Sequence, residues 1–153
     1  MAQRSNVFFI PPGEEVDSYK LIEGAKFVLV YNSSIGLEAS ILGKPVLCAG
    51  RARYTQADTV TYPDSRQEYW GQLETMLYSE QIDVPEGFQQ NARHFLYEEL
   101  YHASLDLSDF LQEDPTLPGM VVFKEFDPQD LLDSRALHAI YRGITGGAPF
   151  LLD

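Results

Sequence analysis

Cysteine is nearly absent: the chain has one, Cys48, so no internal disulfide can form. Cys48 stands in an apolar run that reads as a buried strand, so it is expected to be an inert core thiol. No apolar run approaches the ~20 residues that a membrane-spanning helix needs. Val7 to Ile10 is too short for the apolar core of a signal peptide and reads better as a strand. These absences point to a cytoplasmic protein without a transmembrane segment. Positive charge is also scarce, with eleven basic residues against twenty-three acidic ones and a net charge of −12. The imbalance is local. Residues 1–62 hold six basic and six acidic residues, while residues 63–153 hold five and seventeen. Such a surface repels nucleic acid and anionic lipid, so neither is an expected partner. The three histidines are scattered, and His94 and His102 lie eight residues apart, which is not zinc-ligand spacing. There is no H-E-x-x-H, C-x-x-C, P-loop or G-x-S-x-G motif. No metal site, cofactor or catalytic residue is therefore assigned.

What the chain does have is one organised stretch from Phe27 to Gly50. Phe27-Val28-Leu29-Val30 is an unbroken apolar run, the pattern of a parallel strand covered on both faces. Ser33, Ser34 and Gly36 stand where a short helix starts. Gly43 and Pro45 stop it, with Lys44 placed to complement its C-terminal dipole, and Val46 to Ala49 reads as the next strand. Serine caps a helix start, and glycine lets another group approach the backbone closely. A helix start at the C-terminal end of a parallel strand leaves N–H groups for a phosphate. Two readings stand side by side for Ser33 and Ser34: a phosphate-holding turn, or a plain cap.

Upstream, Val7 to Ile10 reads as a first strand ended by Pro11-Pro12-Gly13. Asp17 or Ser18 caps a helix of about Ser18 to Gly24, with Tyr19, Leu21, Ile22 and Ala25 as its apolar face. The order is β-α-β-α-β with short connections, which predicts a Rossmann-like α/β three-layer domain with a parallel sheet. Downstream, a helix is predicted over Ser65 to Tyr78, with Tyr69, Leu73, Met76 and Leu77 buried and Trp70 beside them. A second is predicted from Phe88 to about Leu111, on the stripe Leu96, Leu100, Ala103, Leu107 and Phe110. Met120 to Phe123 reads as a late strand or an extended tail. A last helix is predicted over Pro128 to Arg142, ended by Gly143, Gly146 and Gly147. The whole is expected to form a single domain, with a core at 1–78 and a helical C-terminal part at 79–153.

The run YNSSIGLEASILGKPVLCAGRARY resembles the donor-binding half of GT-B glycosyltransferases, in the branch that builds bacterial capsule and related surface polysaccharides. DSYKLIEGAKFVLVYNSS before it fits the same pattern, so the resemblance covers about Val7 to Tyr69. It implies a nucleotide-sugar as substrate and a saccharide as acceptor. Ser33, Ser34 and Gly36 would then hold the donor phosphate, helped by Arg51 and Arg53. Glu38 would accept hydrogen bonds from the ribose, Tyr54 would stack on the base, and Pro12 and Gly13 would frame it. Each could equally be an ordinary surface or cap residue. GT-B enzymes have two Rossmann-like halves, and the resemblance covers one. The N-terminal half, with the catalytic base, would come from the same or another chain, and this chain alone would be inactive. The alternatives are a non-catalytic nucleotide-binding or protein-interaction module, and a sugar-nucleotide epimerase-like domain.

Overall fold

In the computed structural model, residues 6–11 and 13–151 are described. The chain forms two compact units, Met1–Arg93 and His94–Asp153.

In the first unit, α1 runs Ser18–Gly24, and Asp17 caps it by accepting from the backbone N–H groups of Tyr19 and Lys20. Only Ile22 of its apolar residues is buried. β1 (Val28–Val30) and β2 (Val46–Cys48) pair in parallel, with Val28 opposite Val46 and Val30 opposite Cys48. α2 (Ile35–Ile41) connects them, as a parallel pair requires. Gly43, at φ +77°, turns the chain out of α2 with a backbone that a side chain would strain. A third parallel element is a single bridge, Thr61 beside Leu47, which continues the sheet past β2. Before it, Tyr54–Gln56 makes one 3-10 turn. α3 (Arg66–Tyr78) follows, capped by Ser65, whose hydroxyl accepts from the N–H of Glu68. The mixed α/β architecture with a small parallel sheet is the expected class.

Burial differs between the two strands. β2 touches both α2 and α3, and all three of its residues are buried. In β1, Val30 is buried but Leu29 is 47% exposed. The expectation of cover on both faces therefore holds for β2 and fails at Leu29. Val7 to Ile10 is not a strand: Phe8 and Phe9 are 90% and 80% exposed. A strand exists only as a rung of a ladder, and among the described residues this segment has no pairing partner. Two lysines tie helix ends to the sheet connections. The Lys44 ammonium donates to the carbonyls of Glu23 and Ala25, at 2.6 and 3.2 Å. The Lys26 ammonium donates to the carbonyl of Leu77 at 2.9 Å. Lys44 thus serves the end of α1, not of its own helix.

α4 (Phe88–Tyr101) crosses the divide between the units and stops ten residues short of the expected end at Leu111. The Ser104 hydroxyl donates to the Glu99 carbonyl at 2.6 Å, and the N–H groups of His102 and Ala103 both turn to the Glu98 carbonyl. Asp106 then accepts from the Ser108 N–H at 2.8 Å and starts a turn. Local polar bonds end the helix where the apolar spacing would continue it.

In the second unit, β3 (Leu111–Glu113) pairs antiparallel with β4 (Val121–Phe123), Leu111 opposite Phe123. β3 replaces the end of the predicted helix. Phe110 is buried, edge-on to Phe126 at 5.2 Å between ring centres. The predicted last helix is two. α5 (Pro128–Asp133) opens on an Asp127–Asp130 capping box. Ser134 is extended and its hydroxyl caps α6 (Arg135–Gly146), which ends at Gly147 with φ +67°. Gly143 and Gly146 lie inside α6.

Candidate functional site at the strand exits

The C-terminal ends of β1 and β2 lead into two loops that lock together. The Gly50 N–H donates to the Tyr31 carbonyl at 2.5 Å, and the Cys48 thiol lies 3.0 Å from that same oxygen. The Tyr54 hydroxyl donates to the Ser33 carbonyl at 2.6 Å. The turn Tyr31–Ser34 is thus held from beneath by the loop that leaves β2. Two glycines permit the closeness. A Cβ on Gly36 would meet the Tyr54 hydroxyl at 2.6 Å and the Val30 side chain at 2.9 Å. A Cβ on Gly50 would meet the Tyr31 ring at 2.8 Å.

Tyr54 is 4% exposed, with burial first pushing its phenol well above the usual tyrosine range. Burial likewise raises the Cys48 thiol. Tyr54 has no free ring face, so the stacking role expected of it gives way to a structural one.

At the α2 start the hydrogen bonding is tighter than a simple helix N-terminus. The N–H groups of Gly36 and Leu37 bond to the carbonyls of Ser33 and Ser34 at 3.0 and 2.9 Å. The Ser33 hydroxyl accepts from the Ile35 N–H at 3.4 Å. Those N–H groups are therefore engaged within the turn itself. Ser34 has helical backbone angles and makes no side-chain cap bond. Among the described residues its hydroxyl and N–H have no partner, and the residue is exposed.

Glu38, one turn into α2, is half-buried, and its Oε2 accepts from the Tyr19 hydroxyl at 2.6 Å. The contact joins the starts of α1 and α2. The carboxylate raises the Tyr19 phenol, first through that bond, so the phenol keeps its proton and donates. Sequence reasoning placed Tyr19 on the apolar face of α1. Its 53% exposure was legible only in its double nature, an apolar ring with a polar tip. Arg51 is exposed, and its guanidinium donates to Gln56 at 2.9 Å. Arg53 is exposed on the same loop. Gly13 lies in the turn before α1, with open space where a Cβ would stand, and Pro12 lies outside the described residues.

The structure thus brings Ser33, Gly36 and Tyr54 together, sets Ser34 beside them, and pairs Glu38 with Tyr19. Among the described residues no hydrogen bond joins Gly13 or Arg51 to these groups. A cavity of about 330 Å³ opens beside Ala49, at the exits of β2 and of the Thr61 bridge. Tyr62, Arg66, Tyr69 and Trp70 line it. Trp70, expected near the buried face of α3, is 55% exposed. Among the described residues no cluster of histidine, cysteine and carboxylate side chains is arranged to hold a metal ion. No helix among them is long and apolar enough to cross a membrane.

A family model described as capsule polysaccharide biosynthesis protein matches residues 3–82, just over half of the chain. The match takes in every residue of the strand exits named above. No curated protein and no solved structure matches the chain.

Proposed function

This chain belongs to the capsule polysaccharide biosynthesis family, and from that premise we propose that it is the nucleotide-sugar-binding half of a GT-B glycosyltransferase in that synthesis. The observation that carries the reading is the turn at the β1 exit. It is exposed and polar, and Tyr54 clamps it from below while the Ser34 hydroxyl and N–H stay uncommitted. Preorganised donors of this kind stabilise a departing phosphate because they need no reorganisation when charge develops. Arg51 and Arg53 on the neighbouring loop add cationic forks suited to phosphate oxygens. Glu38, an acceptor-only group when ionised, suits the ribose hydroxyls.

In the reaction, an acceptor hydroxyl attacks the anomeric carbon and the bond from that carbon to the phosphate oxygen breaks. The hydroxyl proton passes to a base on the N-terminal half, supplied in the same or another chain. The nucleotide leaves with its phosphate on the Ser33–Ser34 turn.

Thermal unfolding with CMP, UMP, UDP, GDP and ADP tests this. A nucleotide at ~100 times its dissociation constant adds about 2.7 kcal/mol of stability. One base should raise the midpoint, and Ser34→Ala and Glu38→Ala should each abolish the rise. No rise with any nucleotide sinks the donor-binding reading. The chain alone should transfer no sugar, and robust turnover would overturn the two-half assignment.

A further inference from the structure

The hydrogen bond between the Tyr19 hydroxyl and Glu38 Oε2 is 2.6 Å long and links residues 19 apart in sequence. Nothing in the local pattern of either helix requires it. Asp17 already caps α1, and α2 closes its own first turn. Glu38 has three rotatable side-chain bonds and stands half-exposed, so alone it would sample several rotamers at an entropic cost to any ligand that ordered it. Tyr19 is a stiffer group with two. Its donated proton occupies one carboxylate oxygen, Oε2, and among the described residues Oε1 has no hydrogen-bond partner.

We propose that Tyr19 is a positioning residue for nucleotide recognition: it fixes the Glu38 carboxylate so that Oε1 accepts from the vicinal hydroxyls of a ribonucleotide. This rests on the donor-binding reading given above. Two properties follow from the geometry. A phenol oxygen that donates can also accept, so the pair offers two acceptors, matched to two adjacent hydroxyl donors. The selectivity therefore lies in the ribose diol and is independent of the base. The acceptor is charged, and a hydrogen bond to a charged group contributes more than one between neutral groups.

The test compares the full chain with its Tyr19→Phe variant, by calorimetric titration with CMP, UMP, UDP, GDP and ADP and with their 2′,3′-dideoxy counterparts. Tyr19→Phe keeps the ring and removes only the hydroxyl. Wild type should prefer the ribonucleotide. The variant should lose roughly tenfold of that affinity, while binding the dideoxy form as wild type does. Glu38→Gln should lose the same preference. An unchanged ribose preference in Tyr19→Phe, or an equal loss for both ligands, overturns the positioning role and leaves the donor-binding reading intact. The absence of binding by wild type overturns both.

Discussion

Gly36 is the residue on which the site's shape turns. Alanine in place of glycine favours a helix by about 1 kcal/mol, and Gly36 lies in α2. Here a Cβ would stand 2.6 Å from the Tyr54 hydroxyl and 2.9 Å from Val30, and both are buried. Overpacking of that kind costs about 1–3 kcal/mol, so it outweighs the propensity gain. Gly36→Ala should be destabilised by about 1 kcal/mol in denaturant unfolding, the difference between those two effects. Tyr54→Phe removes the nearer oxygen, so the double variant should lose less than the two single losses together. Simple additivity would mean that the hydroxyl is not what Gly36 makes room for. Gly50 differs. Its close neighbour is the Tyr31 ring, which is 72% exposed and can swing away.

At the scale of elements, α1 is started by a local cap and held at its end by a distant residue. α1 ends at Gly24, and the Lys44 ammonium, from the turn before β2, donates to the carbonyls of Glu23 and Ala25 at that end. A cation there satisfies orphan acceptors and meets the negative end of the helix dipole. Lys44→Met keeps most of the stem and deletes both bonds. It should cost about 1 kcal/mol and increase hydrogen exchange at the amides of residues 21–25. If those amides exchange at the wild-type rate, the lysine is incidental to α1. α4 carries the opposite lesson. Leu96 and Leu100 continue the stripe toward Leu107 and Phe110, yet Leu100 is 56% exposed and Phe110 is buried beside Phe126 in the second unit. A run of apolar residues at helical spacing was divided between a helix and the approach to a hairpin, because Ser104 and Asp106 offer the backbone other partners.

For the whole molecule, charge and core divide along the same line. Residues 1–93 hold eight basic and twelve acidic residues, and residues 94–153 hold three and eleven. The unit that holds the strand exits is thus the less acidic one and repels an anion less than the other does. Each unit has buried apolar residues of its own, Val46, Leu47 and Val60 in the first and Phe110, Ala136 and Ala139 in the second. Leu47→Ala should cost about 3 kcal/mol, as for a fully buried leucine, and lower hydrogen-exchange protection across β1 and β2. Phe110→Ala should lower protection at β3 and β4 and leave the amides of residues 46–48 unchanged. Loss of protection at 46–48 in Phe110→Ala would show that the two cores unfold together.

The amino-acid sequence by itself determined the order of elements from Ser18 to Tyr78 and most of their ends. Those ends depend on residues a few positions apart: Asp17 before α1, Gly43 and Pro45 after α2, Ser65 before α3. A cap or a turn is a contact within one stretch of chain, so its signal is local. It also determined the family, since the match over residues 3–82 is one of sequence. Only the tertiary structure decided the rest. It turned Tyr54 inward as a clamp on Ser33, gave Glu38 a phenol from another helix, and sent Lys44 to the end of α1. It also left Val7 to Ile10 without a pairing strand among the described residues, and Leu29 half-exposed. A side chain with both an apolar body and a polar tip fits a core, a surface or a ligand site equally well by sequence. What chooses among them is the partner that folding brings within hydrogen-bond reach.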